Sequence, residues 1–285
     1  MTSTHVTARR RRVRGFSLIE SMFAMGIFAF IMAIAAWAIV DSARMGNATY
    51  ASVTNETSTR QQLDRFIADA HASSSVLASY TTGGTTYTSS TTGTLILKAP
   101  SYDSSGSIID NSYDYIVYHL VGSAAPYTLN RLVVTTTGSR PACSDTTIAT
   151  NVNSATFVCL VDQTMTGDGS SRNFDLNSAV YGSGSTLVQG ATRNGDAVSL
   201  GTGTTQVQFV APTAAKPLGQ LGFGVAPISG ATIDALYSVN PSLAANQPNI
   251  TAVNLDLKVQ TTNAGLGGSA VQSDEITGRT NLHNH

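Results

Sequence analysis

The side chain best placed to do chemistry is the carboxylate of Glu20, because it lies inside an otherwise apolar run. Between residues 16 and 40 the only other strongly polar side chains are Ser17 and Ser21, and Lys, Arg and Pro do not occur. An ionised group within a membrane-length helix costs roughly 2.5–3.5 kcal/mol on insertion scales. Glu20 therefore predicts a partner cation and a function that needs the pair.

The element that must position Glu20 is a membrane-spanning helix with a basic leader. At about 1.5 Å per residue, residues 16–40 cover a hydrocarbon core of roughly 30 Å. Five arginines precede it, and they are Arg9, Arg10, Arg11, Arg12 and Arg14. The positive-inside bias then keeps the N-terminus in the cytoplasm and exports the chain beyond residue 40.

Two ordinary interpretations of this segment compete with a functional one. A cleaved signal peptide would end its apolar region at a small-x-small site, which AIAAWA imitates, but Glu20 is unfavourable inside such a region. A plain membrane anchor has the right length and gives no reason for the carboxylate. The functional interpretation has to explain the arginines, Gly15, Phe16 and Glu20 together.

The arginine-rich leader followed by Gly15-Phe16-Ser17-Leu18-Ile19-Glu20 resembles the processing site of type IV prepilins. The resemblance implies that prepilin peptidase cuts after Gly15 and that the new amine of Phe16 is methylated. It also implies that Glu20 forms an assembly salt bridge with the N-terminal ammonium of a neighbouring pilin. Many major pilins carry a proline in the second half of this segment, where the present chain reads Ala35-Ala36-Trp37-Ala38, so the resemblance favours a minor pilin or pseudopilin.

Beyond the membrane segment, the sequence predicts an α+β fold in which a long N-terminal helix packs on an antiparallel β domain. One helical face carries an apolar series, namely Leu63, Phe66, Ile67, Ala70 and Leu77. Alternating patterns then predict strands near residues 94–99, 114–121, 131–136, 155–161, 206–211 and 253–261. The predicted parts are a cleaved leader (1–15), a transmembrane and assembly helix (16–40), its amphipathic continuation (41–79) and an exported β-rich domain (80–285). The Gly- and Ser-rich stretch 164–203 is interpreted as a variable surface insertion.

Several of these segments resemble the larger minor subunits of the PilW and type II secretion J kind. They are LDRFIADAHASS at the helix end, the pair YDYIVYHLV and LNRLVVT, and VNLDLKVQ followed by EITGRTNLHN. The resemblance implies a pilin-like hairpin arrangement in the exported domain.

Composition supports an exported β-rich domain and argues against nucleic-acid binding. Only 12% of the 285 residues are charged, and 25 are glycine. Removing residues 1–15, which contain five arginines and no acids, changes the formal net charge from −1 to −6. An acidic mature chain lacks the basic footprint that nucleic acid requires.

The two cysteines, Cys143 and Cys159, predict a disulfide in an oxidising compartment. Such a bridge would close the loop between the two cysteines and stabilise the fold by about 3 kcal/mol in the entropy model. The alternative is two separate buried thiols. A metal site is not expected, because two sulfurs without a nearby histidine pair do not complete a tetrahedral shell.

No catalytic constellation is present in the sequence, so we expect neither an enzyme nor a cofactor. The histidines are scattered at His5, His71, His119, His283 and His285, and no nucleophile elbow, P-loop or zincin motif occurs. Asp168-Gly169-Ser170 with Asp175 lacks the acidic density of a calcium loop and predicts a solvated turn. Tyr113, Tyr115 and Tyr118 predict core or sheet-face packing on a strand, with sugar or ligand stacking as the less common alternative.

Together these features predict a minor type IV pilin that assists assembly by initiating or capping a filament. A type II secretion minor pseudopilin is the alternative within the family. A membrane-anchored adhesin is the alternative from another class. In each case we expect a single-pass inner-membrane protein with an exported C-terminal domain, and for the pilin a place in a surface or periplasmic filament.

Overall fold

A computed structural model describes residues 17–136, 140–179, 188–199, 206–216, 218–265 and 268–283. The chain divides into two compact units, Met1–Ser52 and Val53–His285, called here the N-terminal and C-terminal units. The predicted α+β class is confirmed, because a long helix with an apolar N-terminal part is followed by a large antiparallel sheet.

Helix α1 spans Leu18–His71, and no proline interrupts it. Within the N-terminal unit, its side chains from residue 18 to 40 are exposed. The helix ends where Ser73 binds two of the last carbonyls. Its Oγ donates to the Asp69 carbonyl at 2.6 Å, and its amide donates to the Ala70 carbonyl at 3.0 Å. The first strand begins at Ser75, so helix gives way to sheet a few residues before the predicted boundary at 79.

Fifteen strands follow among the described residues, with one 3-10 helix at Ala244–Asn249. The strands are β1 Ser75–Leu77, β2 Ser79–Thr82, β3 Thr85–Thr88, β4 Thr94–Tyr102, β5 Ile108–Val121, β6 Tyr127–Val134, β7 Cys143–Thr166, β8 Asn173–Asp175, β9 Val188–Arg193, β10 Asp196–Ala197, β11 Val207–Val210, β12 Gln220–Phe223, β13 Thr232–Val239, β14 Ala252–Gly265 and β15 Gly268–Asn281.

The main sheet has ten strands, with the path β1-β4-β5-β6-β7-β13-β9-β10 and the hairpin β14–β15 attached to β7. Every described pair in it is antiparallel. Strand β7 connects the parts of the sheet, since its first half pairs with β6 and its second half pairs with β13 and β14. A three-stranded sheet, β11-β12-β8, and a two-stranded hairpin, β2-β3, complete the C-terminal unit.

The core of the C-terminal unit lies between the last turns of α1 and one face of this sheet. Phe66 is fully buried and makes an edge-to-face contact with Tyr118 of β5, the ring centroids being 5.3 Å apart. Its ring also lies 6.1 Å from that of Phe157 on β7. At Gly278 of β15 the helix comes so close that an added Cβ would lie 2.5 Å from Leu63 Cδ1. The predicted apolar helix face therefore meets the sheet through Leu63, Phe66 and Ala70. Leu77, predicted on the same face, lies instead in β1, because the helix ends at His71.

All six predicted strand regions lie at strands of the structure, although most of these strands extend beyond the predicted limits. The stretch 164–203 is more than a surface insertion, because β9 within it pairs with β13 in the main sheet. Its polar composition hides this role, since the sequence VQGATR of β9 has little of the alternation that marks a half-buried strand.

The structure does not form the predicted disulfide. Cys143 and Cys159 are both free thiols, the first half-buried and the second buried. They lie on the same strand, β7, sixteen residues apart. A rise of about 3.3 Å per residue puts on the order of 50 Å of strand between them, whereas a disulfide requires Cα atoms within about 7 Å. The sequence interval suggested a closed loop, but the chain between the cysteines is extended.

Candidate functional site

The apolar part of α1 is the first candidate site. Leu18–Asn47 is the described helix that is long and apolar enough to cross a membrane, and none of its window is buried within the chain. Leu18 is 82% exposed and Phe23 is 71% exposed. In a soluble protein such a surface would be covered by the chain itself, so this one is built for lipid or for other helices.

Glu20 lies in the first turn of this helix. The turn is formed by the amides of Glu20 and Ser21, which donate to the Ser17 carbonyl at 3.0 and 3.1 Å. A carboxylate in a first turn is favoured by the positive end of the helix dipole. No cation of the described residues lies within ion-pair distance of Glu20. Gly15 and Phe16, the predicted cleavage and methylation residues, lie outside the described residues.

Nearly two turns further on, Gly26 leaves a notch in the apolar surface. The notch is lined by Met22, Phe23, Ile27 and Phe30. A Cβ added at Gly26 would meet nothing within 4 Å. Small residues on membrane helices let neighbouring backbones approach, so the notch offers a second helix a place to pack.

A second carboxylate of α1, Asp69, has its partners inside the C-terminal unit. Arg131 on β6 donates from Nε to Asp69 Oδ2 at 2.7 Å and from Nη2 to Oδ1 at 3.0 Å. Tyr118 on β5 donates its hydroxyl to Oδ2 at 2.6 Å. All three side chains are buried. Burial, together with the charge of Asp69, raises the pKa of Tyr118 well above its ordinary value, so this phenol remains a donor. The group fastens the end of α1 to the sheet.

Asp114 on β5 is another buried acid that is paired with an arginine, at a position away from the helix. It is completely buried, and it accepts from Arg140 Nε at 3.0 Å and from Ser101 Oγ at 2.8 Å. The Thr136 amide adds a third donor at 3.3 Å. The buried acid therefore holds Thr136 and Arg140, which lie between β6 and β7, against β5, and this is a structural role.

The tyrosines and the hairpin β2–β3 meet on the opposite face of the sheet. Tyr80 of the hairpin stacks on Tyr115 of β5, with ring centroids 4.2 Å apart. Lys98 Nζ lies 3.6 Å from the ring centroid of Tyr113. Tyr118 instead points into the core. The rings pack against protein groups, as the strand interpretation predicted.

The acids considered for calcium have partners of their own. Asp168 accepts hydrogen bonds from the hydroxyl and amide of Ser171 and from the amide of Ser170, and these bonds lower its pKa. Asp175 pairs with Lys216, whose hydrogen bond lowers the Asp175 pKa. The structure does not bring the two acids into a group of three or more metal-ligating side chains within the described ranges.

The structure brings together two histidines that are distant in sequence. His71 ends α1 and His283 follows β15, and their rings stack at 5.9 Å between centroids. In the sequence these histidines are scattered, and the contact between the helix end and the segment after β15 could not be predicted from local pattern. His119 is not part of this pair, and its Nε2 lies 2.9 Å from Asp145 Oδ1.

Comparison with known proteins identifies the N-terminal segment. Residues 10–36 match the family model described as the prokaryotic N-terminal methylation motif. Neither the curated proteins nor the solved structures include a match to the chain. The motif and the apolar helix support the class of type IV pilins and pseudopilins, with processing by a prepilin peptidase and a membrane-anchored, exported chain.

Proposed function

We propose that this chain is a minor type IV pilin of the PilW and type II secretion J kind, which assists assembly by initiating or capping a filament. The observation that carries the proposal is Glu20, an exposed carboxylate in the first turn of an apolar helix, within the segment that matches the methylation motif. The carboxylate lies five residues into a chain that begins at Phe16. The proposed role is non-enzymatic.

The proposed chemistry is the pairing of Glu20 with the ammonium of another subunit. Cleavage after Gly15 would create a charged amine on Phe16, and two opposite charges attract strongly in a medium of low dielectric constant. Either charge alone is costly there. Such a pair would set the axial position of one helix against its neighbour, and the notch at Gly26 would accept the neighbour's side chains.

A subordinate part in assembly is supported by two features. The apolar helix lacks the proline that many major pilins carry. The β domain is large, with ten strands in its main sheet, and it offers a broad surface to place at a filament end. A type II secretion pseudopilin would use the same helix chemistry, so the machine is decided by which assembly proteins the chain joins.

The processing step tests the proposal. We expect mass spectrometry of the protein from its native host to find a chain that begins at N-methylated Phe16. Gly15→Leu should leave the leader attached, whereas Gly26→Ala, a change in the same helix outside the cleavage site, should be processed normally. A mature start near Ala38, or an intact N-terminus in the wild type, would overturn the pilin assignment and favour a signal peptide or a plain anchor.

Co-purification from the host then separates the two machines. A minor pilin should purify with the pilus assembly proteins and be lost from that fraction when the pilus ATPase is deleted. A pseudopilin should instead follow the secretion ATPase. Recovery with neither would favour the membrane-anchored adhesin.

A further inference from the structure

A cleft lies beside the start of strand β5 in the C-terminal unit. Its volume is about 340 Å³, which falls within the range of roughly 300–1,000 Å³ that small-molecule sites occupy. The lining combines apolar with hydrogen-bonding side chains, and it includes Ser74, Pro100, Ile108, Asp110, Asn111 and Tyr113. All of them lie outside α1, so the cleft does not involve the helix surface around Glu20.

An irregularity in the pairing of β4 with β5 creates the cleft. The register shifts between Pro100 and Tyr102, where one residue of β4 lies opposite four of β5, residues 109–112. Asn111, within this bulge, has a positive φ of 57°. Bulges redirect side chains and are common next to binding sites. The extra residues therefore bring Asp110 and Asn111 to the cleft.

Hydrogen bonds hold the backbone on both sides of the cleft. The amide and the hydroxyl of Ser74 donate to the Lys98 carbonyl at 2.8 and 3.1 Å. In the turn between β4 and β5, Asp103 Oδ1 accepts from the amides of Ser105 and Ser107, each at 2.9 Å. The cleft is therefore formed before a ligand arrives, and little ordering is left for the ligand to impose.

The charges around the cleft favour a neutral ligand. Asp110 is exposed, and its carboxylate repels anions. Lys98 Nζ lies 3.6 Å from the centroid of the Tyr113 ring, so this ring already has a cation over one face, and a cationic ligand would be repelled by it. A polar ligand without charge meets neither cost.

We propose that this cleft binds a neutral saccharide. A sugar ring presents C–H groups on its faces and hydroxyls around its edge. Pro100, Ile108 and Tyr113 supply apolar surface for the faces. The carboxylate of Asp110 accepts hydrogen bonds, and the amide of Asn111 both donates and accepts them, which matches hydroxyls. The volume limits the ligand to a short saccharide or to the end of a longer glycan.

Saccharide binding goes beyond the proposed part in assembly. It would attach the exported domain to a glycan-bearing surface, whichever machine the protein serves. Because the cleft and Glu20 share no residue, loss of sugar binding and loss of assembly should follow from different substitutions.

Calorimetric titration of the full chain, in a detergent without a sugar headgroup, tests the site. The probes are glucose, galactose, mannose, N-acetylglucosamine, N-acetylgalactosamine, cellobiose, lactose and chitobiose. We expect saturable binding of at least one of these sugars, with one site per chain. The uronate and the protonated amino sugar that match the bound sugar should each bind more weakly, because Asp110 repels the first and Lys98 the second.

Asn111→Gly is the most specific variant, because glycine adopts the same positive φ and only the amide side chain is lost. It should keep the wild-type Tm. Tyr113→Leu removes the aromatic ring and keeps an apolar side chain. Each variant should weaken binding by about three- to tenfold, through a lost hydrogen bond or a lost ring contact. Asn151→Gly is the matched control, since Asn151 is also exposed, has a φ of 56° and lies on β7, and it should bind as the wild type does.

Three results would each overturn the proposal. The first is that none of the neutral sugars binds at millimolar concentration. The second is that Asn111→Gly and Tyr113→Leu both bind as tightly as the wild type, which would place the sugar elsewhere on the chain. The third is that a charged sugar binds more tightly than its neutral counterpart, since recognition would then depend on Asp110 or Lys98 as an ion-pair partner.

Discussion

Glu20 and Asp69 lie on the same helix, and the chain treats the two carboxylates in opposite ways. Asp69 is buried and receives three hydrogen bonds, two from Arg131 and one from Tyr118. Glu20 is exposed on an apolar surface, and no described cation pairs with it. The C-terminal unit supplies the partners of its acid from within, whereas Glu20 has none among the described residues, and we propose that its partner belongs to another subunit.

Under the proposed function, one carboxylate of the helix serves folding and the other serves assembly. A charge whose partners belong to the same chain contributes to the uniqueness of the fold, and its loss leaves the partners buried and unsatisfied. A charge whose partner belongs to another chain contributes only when the two chains meet. Substitutions in the two regions should therefore change different measurements.

Asp69→Ala should give the largest loss of stability. It leaves the guanidinium of Arg131 buried without its counter-charge, which typically costs about 3–5 kcal/mol. Denaturant unfolding of the detergent-solubilised chain, followed by near-ultraviolet circular dichroism, measures the change. Asp64→Ala on the exposed side of the same helix is the control and should change stability by less than about 0.5 kcal/mol. Equal effects of the two changes would show that Asp69 does not fasten the helix to the sheet.

Gly278→Ala should have an intermediate effect, because the new Cβ would lie 2.5 Å from Leu63 Cδ1. Overpacking of this kind costs about 1–3 kcal/mol. Leu63→Ala should relieve the overlap, so the double variant should be more stable than the sum of the two single changes predicts. Additive losses would mean that the helix does not pack closely on β15. Gly190→Ala, where a Cβ meets nothing within 4 Å, is the control.

The thiols test whether the C-terminal unit is held by packing without a covalent bridge. Under native, non-reducing conditions Cys143 should react with iodoacetamide, and Cys159 should react only after unfolding, because burial raises the pKa of Cys159 to about 12. This folded pKa exceeds the ordinary value of about 8.5, so its contribution to stability is complete below pH 8.5 and is lost as the pH rises towards 12. Cys143→Ser should change stability by less than about 1 kcal/mol. If neither cysteine reacts in the unfolded, unreduced protein, the two form a disulfide and this account is wrong.

The sequence predicted what depends on local pattern. Glu20 within an apolar run, the helix face with Leu63 and Phe66, and the six strand regions follow from composition and periodicity, and the structure places helix and strands there. The α+β class follows from the same patterns.

Pairings between distant segments could not be predicted in this way. The contact of Asp69 with Arg131 joins residues 62 positions apart, and β9 enters the main sheet through its register with β13 rather than through its own composition. The disulfide prediction failed for the converse reason. Cys143 and Cys159 are close in sequence but lie far apart on one extended strand. The His71–His283 contact likewise depends on where β15 ends.

The most direct test measures assembly and stability together for Glu20→Ala and Glu20→Gln. Both variants should be inserted and cleaved after Gly15, and their C-terminal units should unfold as in the wild type, because Glu20 has no described partner in the chain. Co-purification with the other pilus subunits, and filament formation in cells, should be lost in both, since the amide keeps the shape of Glu20 and lacks its charge. Normal assembly by either variant would contradict the account, and so would a loss of stability as large as that of Asp69→Ala.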